Sequence, residues 1–462
     1  MTGPSLTRRN LLKAGAASLF LPRAAMAAPA ELRAARASAQ IVPDDYPATE
    51  VWAYDGQLPG PLLRGRQGSR FARRFVNALD EPSSVHWHGI RIDNAMDGVS
   101  GLTQEPVPPG GHFDYAFDLP DAGTYWYHAH TNSMEQVARG LAGPLIVDEA
   151  EAPDVDRDEV WLLDDWLLDP ETFQIDQGFD RMMDLSHGGR TGNLVGTNGR
   201  YGYGIEAARN ERLRLRLINA ANARIFVLRL DGLAGWIVAL DGMPLAEPEP
   251  VTAEMILAPA QRIDLIVDVT AEPGGEAALL RADGGEAWGV QVRVAVKGEA
   301  AQSARPAPAA LPANPRMAVP GLADARRLAL HMEGGAMGGL QSARYEGAEL
   351  GFRDLAARGQ FWAFNGVVGR TETPLATLDR GETVRLAITN DTVFAHAMHL
   401  HGMHFREVGA DGTLGSLRDT VLSLPGQPTE IAFVADNPGR WLLHCHMLAH
   451  AATGMSTWVE VA

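Results

Sequence analysis

The chain has 462 residues, 46% of them hydrophobic, a formal charge of −17 and a single cysteine. That length suits about three domains, and the apolar content suits real cores. The acidity excludes a basic nucleic-acid footprint, and one cysteine, Cys445, excludes an internal disulfide.

At the start, Thr7-Arg8-Arg9-Asn10-Leu11-Leu12-Lys13 forms a twin-arginine pattern. A short apolar stretch follows to Leu21, then the small-residue site Ala25-Met26-Ala27. Residues 1–27 therefore read as a twin-arginine signal for export to the periplasm. The apolar run is broken by Lys13 and Gly15 and falls short of the roughly 20 residues a membrane helix needs. No later segment reaches that length, so no membrane span is expected in the mature chain. Removal of the signal takes away Arg8, Arg9, Lys13 and Arg23 and no acid, which leaves the rest more acidic still.

Downstream, short alternating or apolar runs recur between Gly, Pro, Asp and Asn, the pattern of an all-β protein. Strands are predicted at Phe113–Leu119, Thr124–His130, Leu213–Ile218, Ile263–Val269, Val384–Ile388, Ile431–Val434 and Trp441–His446. A short helix is predicted at Asp354–Gly359, and residues 331–358 read as a loop insertion.

An internal repeat organises these runs. Val85-His86-Trp87-His88-Gly89, Pro109-Gly110 and Tyr127-His128-Ala129-His130 recur as Met398-His399-Leu400-His401-Gly402, Pro425-Gly426 and Leu443-His444-Cys445-His446. Pro109 precedes His128 by 19 positions, and Pro425 precedes His444 by the same 19. A degenerate middle copy, Pro259-Ala260-Gln261-Arg262, leads into a strand but carries no histidine pair. Three related β domains are expected at 38–150, 154–300 and 322–462. The Ala- and Pro-rich stretch 301–321 reads as a linker.

Ten of the 14 histidines lie in four clusters, each holding a His-x-His pair. On a strand, residues i and i+2 face the same way, so each pair offers two imidazoles to one side. Eight imidazoles without a metal would leave many polar atoms to satisfy internally; a metal cluster between the first and last domains resolves that. In His444-Cys445-His446 the thiol faces away from its two neighbours. His396 and His450 can join Cys445 there, with Met455 in loop reach. Two imidazoles, a thiolate and a thioether make the blue-copper ligand set. Zinc is the alternative and fits less well, since its structural sites are closed tetrahedra.

With these motifs in order across nearly the whole mature chain, the sequence resembles the bacterial, laccase-like members of the three-domain multicopper oxidase family. The resemblance implies three cupredoxin-like Greek-key β-sandwich or barrel domains and four copper ions. It implies a type 1 copper on His396, Cys445 and His450 with Met455 axial, and a type 2 copper on His86 and His399. One type 3 copper would take His88, His128 and His446, the other His130, His401 and His444. Electrons from a small reducing substrate would pass through Cys445 to His444 and His446, and O2 would be reduced to water. Phenols and aromatic amines are the default donors, and a monomer is expected. Asp97 matches a family acid that serves protons near the type 2 copper. Many bacterial members carry a Glu just after the position of His450; Ala451 and Ala452 stand here, which leaves the proton route open.

Two alternatives remain at this point: a periplasmic cuprous oxidase, and a copper-free scaffold of the same fold. Met182, Met183, Met332 and Met337 favour the first, because thioethers select Cu(I). Phe394 opposes it, because cuprous specialists tend to carry Met there. His404 is expected to support the cage, whereas His112, His187 and His331 read as surface residues.

Overall fold

The computed structural model describes residues 29–315, 317 and 321–462. The export signal read over residues 1–27 lies outside the described residues. The all-β expectation is met: the chain forms stacked sheets with a few one- or two-turn helices. Among the described residues, no helix is long and apolar enough to cross a membrane.

The first domain stacks two four-stranded sheets. One runs in the order Thr49–Tyr54, Ala30–Ala39, Arg70–Asn77, His112–Asp118, so it begins ahead of residue 38. The other runs Leu63–Arg66, Ala142–Asp148, Gly123–Ala129, Val85–His88. Alternation decides what each strand buries. Trp87 enters the core against the rings of Phe71, Tyr115 and Phe117 at 5.2–5.4 Å. His86 and His88, on either side of it, are thereby turned to the opposite face.

The last domain repeats this plan in a six-stranded and a five-stranded sheet. The five-stranded sheet has the order Ala376–Leu378, Ser456–Val461, Gly439–Cys445, His396–Leu400, Thr420–Ser423. The repeat survives in the register: His86 lies opposite His128 in the first domain, and His399 opposite His444 in the last. The insertion is shorter than the sequence suggests. Residues 331–334 continue the strand Arg326–Gly334, which pairs in parallel with Thr383–Asn390 in the six-stranded sheet. The hairpin Ser342–Tyr345 with Ala348–Gly351 and the helix Phe352–Ala356 follow it.

The middle domain has a six- and a five-stranded sheet and its own apolar core. Its strand Arg212–Asn219 alternates strictly: Leu213, Leu215 and Leu217 fill the core, and Arg212, Arg214 and Arg216 face the other way. They meet Asp268 and Asp264 of the paired strand Arg262–Val269, Asp158, and Glu149. Arg262 opens that strand on the same polar face as Asp264 and Asp268, which directs it at the other two domains. The described part of 301–321 forms no helix or strand, yet Asn314 exchanges hydrogen bonds with both Ala122 N–H (2.9 Å) and Ala122 C=O (2.7 Å).

Candidate metal centres

The four His-x-His pairs converge where the first and last domains meet. His86, His88 and His399 form one group with ligand atoms within 4.8 Å of one another; His88, His128 and His446 form a second, and His130, His401 and His444 a third. All are buried except His130, which is half-buried. His130 and His446 each lie one residue beyond their strands, which end at Ala129 and Cys445. The backbone pairing persists there, with His130 N–H donating to Ser84 C=O and His446 N–H to Ala397 C=O.

The hydrogen bonds on one ring nitrogen assign the state of the other. His86 Nδ1 donates to Asp97 C=O (2.7 Å), His399 Nδ1 to Asp419 C=O (2.9 Å), His128 Nδ1 to Ala129 C=O (3.0 Å) and His444 Nδ1 to Cys445 C=O (2.9 Å). His401 Nδ1 donates to the Asp97 carboxylate at 3.1–3.2 Å. His88 is reversed: its Nε2 meets Asp419 Oδ1 at 3.2 Å, so its Nδ1 is the free atom.

Each of these six rings therefore turns its other nitrogen, bare of any protein donor, toward the groups that the histidines form. His401 Nε2 and His444 Nε2 stand 3.2 Å apart, and His128 Nε2 and His446 Nε2 3.4 Å apart. His86 Nε2, His399 Nε2 and His88 Nδ1 are buried with no hydrogen-bond partner. Lone pairs facing lone pairs at that distance repel, and burial holds His88, His128, His130, His401, His444 and His446 well below the usual imidazole pKa. These rings cannot relieve the crowding by protonation at neutral pH. A shared cation does relieve it, so the donor set fits a metal cluster.

On the other face of Gly439–Cys445, Cys445 Sγ lies 3.6 Å from His396 Nδ1 and 3.7 Å from His450 Nδ1, and those two nitrogens are 3.0 Å apart. The outer nitrogens are occupied: His396 Nε2 meets Thr392 Oγ1 at 2.8 Å, and His450 Nε2 donates to His187 C=O at 2.7 Å. Burial pushes the Cys445 thiol up to about 12 and the His450 imidazole down to about 4. A thiol so buried becomes a thiolate only beside a cation. Met455 is fully buried next to this group, and its carbonyl accepts Cys445 N–H (3.1 Å). The Trp362 ring walls the group at 4.3 Å from His450 and 5.2 Å from His396.

Asp97, fully buried, thus holds two cage histidines, one through its backbone and one through its carboxylate. His404 is buried, with Nε2 3.8 Å from Asp419. His112 is exposed and His331 half-buried, paired with Asp391 at 2.9 Å. His187 does more than its sequence suggests, since its carbonyl caps His450. Sequence reasoning also missed Asp419, Arg262, Thr392 and Trp362. Of these only Arg262 carried a signal, its place in the Arg/Asp alternation of a strand.

Three sequence profiles described as multicopper oxidase match residues 36–152, 157–276 and 349–462. Multicopper oxidase MmcO from Mycobacterium tuberculosis is 31% identical, over 90% of this chain and 84% of that one. The solved structure of Lac15 from a marine microbial metagenome is 42% identical with a TM-score of 0.75, over 94% of this chain and 100% of that one. That of a multi-copper oxidase from Pseudomonas thermotolerans is 34% identical with a TM-score of 0.81, over 94% and 99%. With its cupredoxin-like domains, its buried histidine cage and its thiol group back to back with that cage, this chain belongs to the multicopper oxidase family, oxidoreductases that use copper and O2.

Proposed function

We propose that the protein is a laccase-like oxidase that takes electrons singly from a small phenol or aromatic amine and reduces O2 to water. His396, Cys445 and His450, with Met455 beside them, would hold a type 1 copper. His86 and His399 would hold the type 2 copper, with the type 3 pair on His88, His128 and His446 and on His130, His401 and His444. Bound copper supplies the redox chemistry: one-electron oxidation of the donor at the first site and four-electron reduction of O2 at the cage.

The chain does the rest. A cavity of about 310 Å3 opens next to the His187 carbonyl that caps His450, lined by Ala223, Ile225, Phe394, Ala395 and Met447 together with the polar Thr191 and Arg224, with Gly188 at its edge. Its size and mainly apolar walls, with Thr191 and Arg224 as polar groups, suit a single aromatic ring that carries a polar substituent. The carbonyl of His187 covers His450 Nε2 and keeps bulk water from the thiol group. Cys445 is covalently joined to His444 and His446, so one segment links the two centres. A second cavity, about 360 Å3, reaches His130 and His444, and Ala451 and Ala452 line it. Ser100 and Thr131 also line it, and they hydrogen-bond to each other and to Ser84. These hydroxyls form a hydrogen-bonded chain in the wall of the cavity that reaches His130 and His444, while Asp97 keeps His401 and His86 oriented.

The observation that carries this reading is the thiol with two bare imidazole nitrogens on one face of a strand whose neighbouring histidines enter a cage on the other. The Arg8-Arg9 motif supports export to the periplasm, where the protein would act as a monomer.

One observation favours Cu(I) as a second donor. Met182 and Met183 are each 63% exposed and Met337 is 72% exposed. Ala336 N–H donates to Ser186 C=O (2.8 Å), which ties the loop of Met337 to the helical turn of Met182 and Met183. That turn leads into His187, so soft thioethers gather at the outer edge of the thiol group. Copper counting with O2 uptake, run with a phenol and Cu(I) side by side, tests both readings. Four coppers per chain and phenol-driven uptake without peroxide are expected. Uptake with Cu(I) alone would make this a cuprous oxidase, and a chain that binds no copper would make it a scaffold.

A further inference from the structure

We infer that Arg262, from the domain that gives the cage no ligand, is a positioning residue for the cage. Through Asp419 it sets which nitrogens His88 and His399 turn inward. This rests on the proposed copper cage.

Arg262 is fully buried and all five of its side-chain N–H groups are engaged. Nε donates to Thr124 C=O of the first domain (3.1 Å). Nη1 donates to Ala260 C=O (3.1 Å) and Asp419 Oδ1 (2.9 Å), and Nη2 to Asp241 C=O (2.9 Å) and Asp419 Oδ2 (2.6 Å). One guanidinium thus bonds to all three domains and grips the Asp419 carboxylate in a two-pronged fork.

Asp419 passes that orientation on. Its Oδ1 meets His88 Nε2 at 3.2 Å, and its carbonyl accepts His399 Nδ1–H at 2.9 Å. The middle domain grips the next residue as well: Gln261 Nε2 donates to Thr420 C=O (3.0 Å), and Asp241 Oδ2 accepts Thr420 N–H (3.3 Å). Asp241 Oδ1 in turn accepts Arg262 N–H (2.9 Å). The edge strand Thr420–Ser423, beside the His396–Leu400 strand, is therefore fastened at its start by the middle domain. His88 coordinates through Nδ1 only while its Nε2 is held. Lysine cannot replace the fork, because its ammonium is a single point of charge.

The degenerate copy of the repeat thereby has a use. In the position that leads into a strand, it has lost any histidine pair and carries an arginine that sets the pairs of the other two.

The test is Arg262→Lys against Arg216→Lys. Arg216 is the neighbouring buried arginine; it reaches Thr124 Oγ1, Asp264 and Asp158 but no cage residue. Copper per chain, the blue absorption band, the type 2 electron paramagnetic resonance signal and the thermal midpoint of copper-free protein are measured. Arg262→Lys is expected to keep the blue band, weaken copper retention at the type 2 position about 10–100-fold, and alter or abolish the type 2 signal. Arg216→Lys is expected to lower the thermal midpoint and keep that signal. If Arg262→Lys does not fold, Asp419→Asn, which keeps the side-chain shape, must show the same selective loss. An unchanged type 2 signal in the Arg262 or Asp419 variant overturns the inference, and so does an equal loss in Arg216→Lys. Wild-type protein without cage copper would instead overturn the proposed function itself.

Discussion

The group around Cys445 is assembled from the last domain alone, whereas the cage behind it takes four imidazoles from the first domain and four from the last. His396, Cys445 and His450 meet across two paired strands and a helical turn, Leu448–Ala452. Local chain geometry suffices to gather them. The cage exists only when two domains are docked, and the docking is built accordingly. One continuous apolar cluster runs through both, from Trp87 and Phe117 to Trp441 and Phe433. The middle domain has a separate core and contributes buried charge at the junction. Apolar contact brings the two domains together without direction. The hydrogen-bonded Arg262–Asp419 pair adds the orientation that metal ligands need.

Removal of the thiol separates the two centres most completely. Cys445→Ser keeps the strand and its pairing but replaces a soft donor with a hard one. Oxidation of the donor and the blue band should both be lost completely, while the cage keeps its copper. Copper analysis and absorption spectra check this. Retained turnover would mean that electrons reach the cage by another path.

A smaller loss is expected at Asp97, which bonds to His86 and His401 where Asp419 bonds to His88 and His399. Asp97→Asn leaves the backbone carbonyl for His86 and an oxygen acceptor for His401, but removes the charge. Turnover should fall about 10–100-fold with the blue band unchanged, because no atom of the thiol group contacts Asp97. Steady-state rates with rapid reoxidation by O2 measure the two halves separately. Equal slowing of both would show that the two centres are less independent than their construction implies.

The sequence made the facing and the gathering of the histidines and Cys445 legible because period-two alternation is a local property. Trp87 had to enter the core, so His86 and His88 had to leave it, and the same logic sets Cys445 opposite His444 and His446. What was not legible depends on partners distant along the chain or on backbone atoms. Arg262 and Asp419 are 157 positions apart; the alternation of its strand marks Arg262 as facing away from the core, but nothing in the sequence pairs it with Asp419. His187 acts through its carbonyl, which any residue type would supply at that place. The end of the strand Arg326–Gly334 was read as part of an insertion because His331-Met332-Glu333-Gly334 carry no apolar run, and pairing with Thr383–Asn390 decides them.

The smallest effect tests how finely the thiol group is tuned without disturbing the cage. Met455 is fully buried, and leucine nearly conserves its volume, so Met455→Leu should change stability by less than about 1.5 kcal/mol. It removes only a weak axial donor, so copper should stay bound to His396, Cys445 and His450. Without the thioether the oxidised metal loses some of its stabilisation, and the site's potential should rise. A redox titration of the blue band measures that rise. The type 2 signal should not move, because the backbone of Met455 bonds to Cys445 and His450 and to no cage imidazole other than through that strand. A shift in the type 2 signal would mean that the strand transmits strain between the centres as well as electrons.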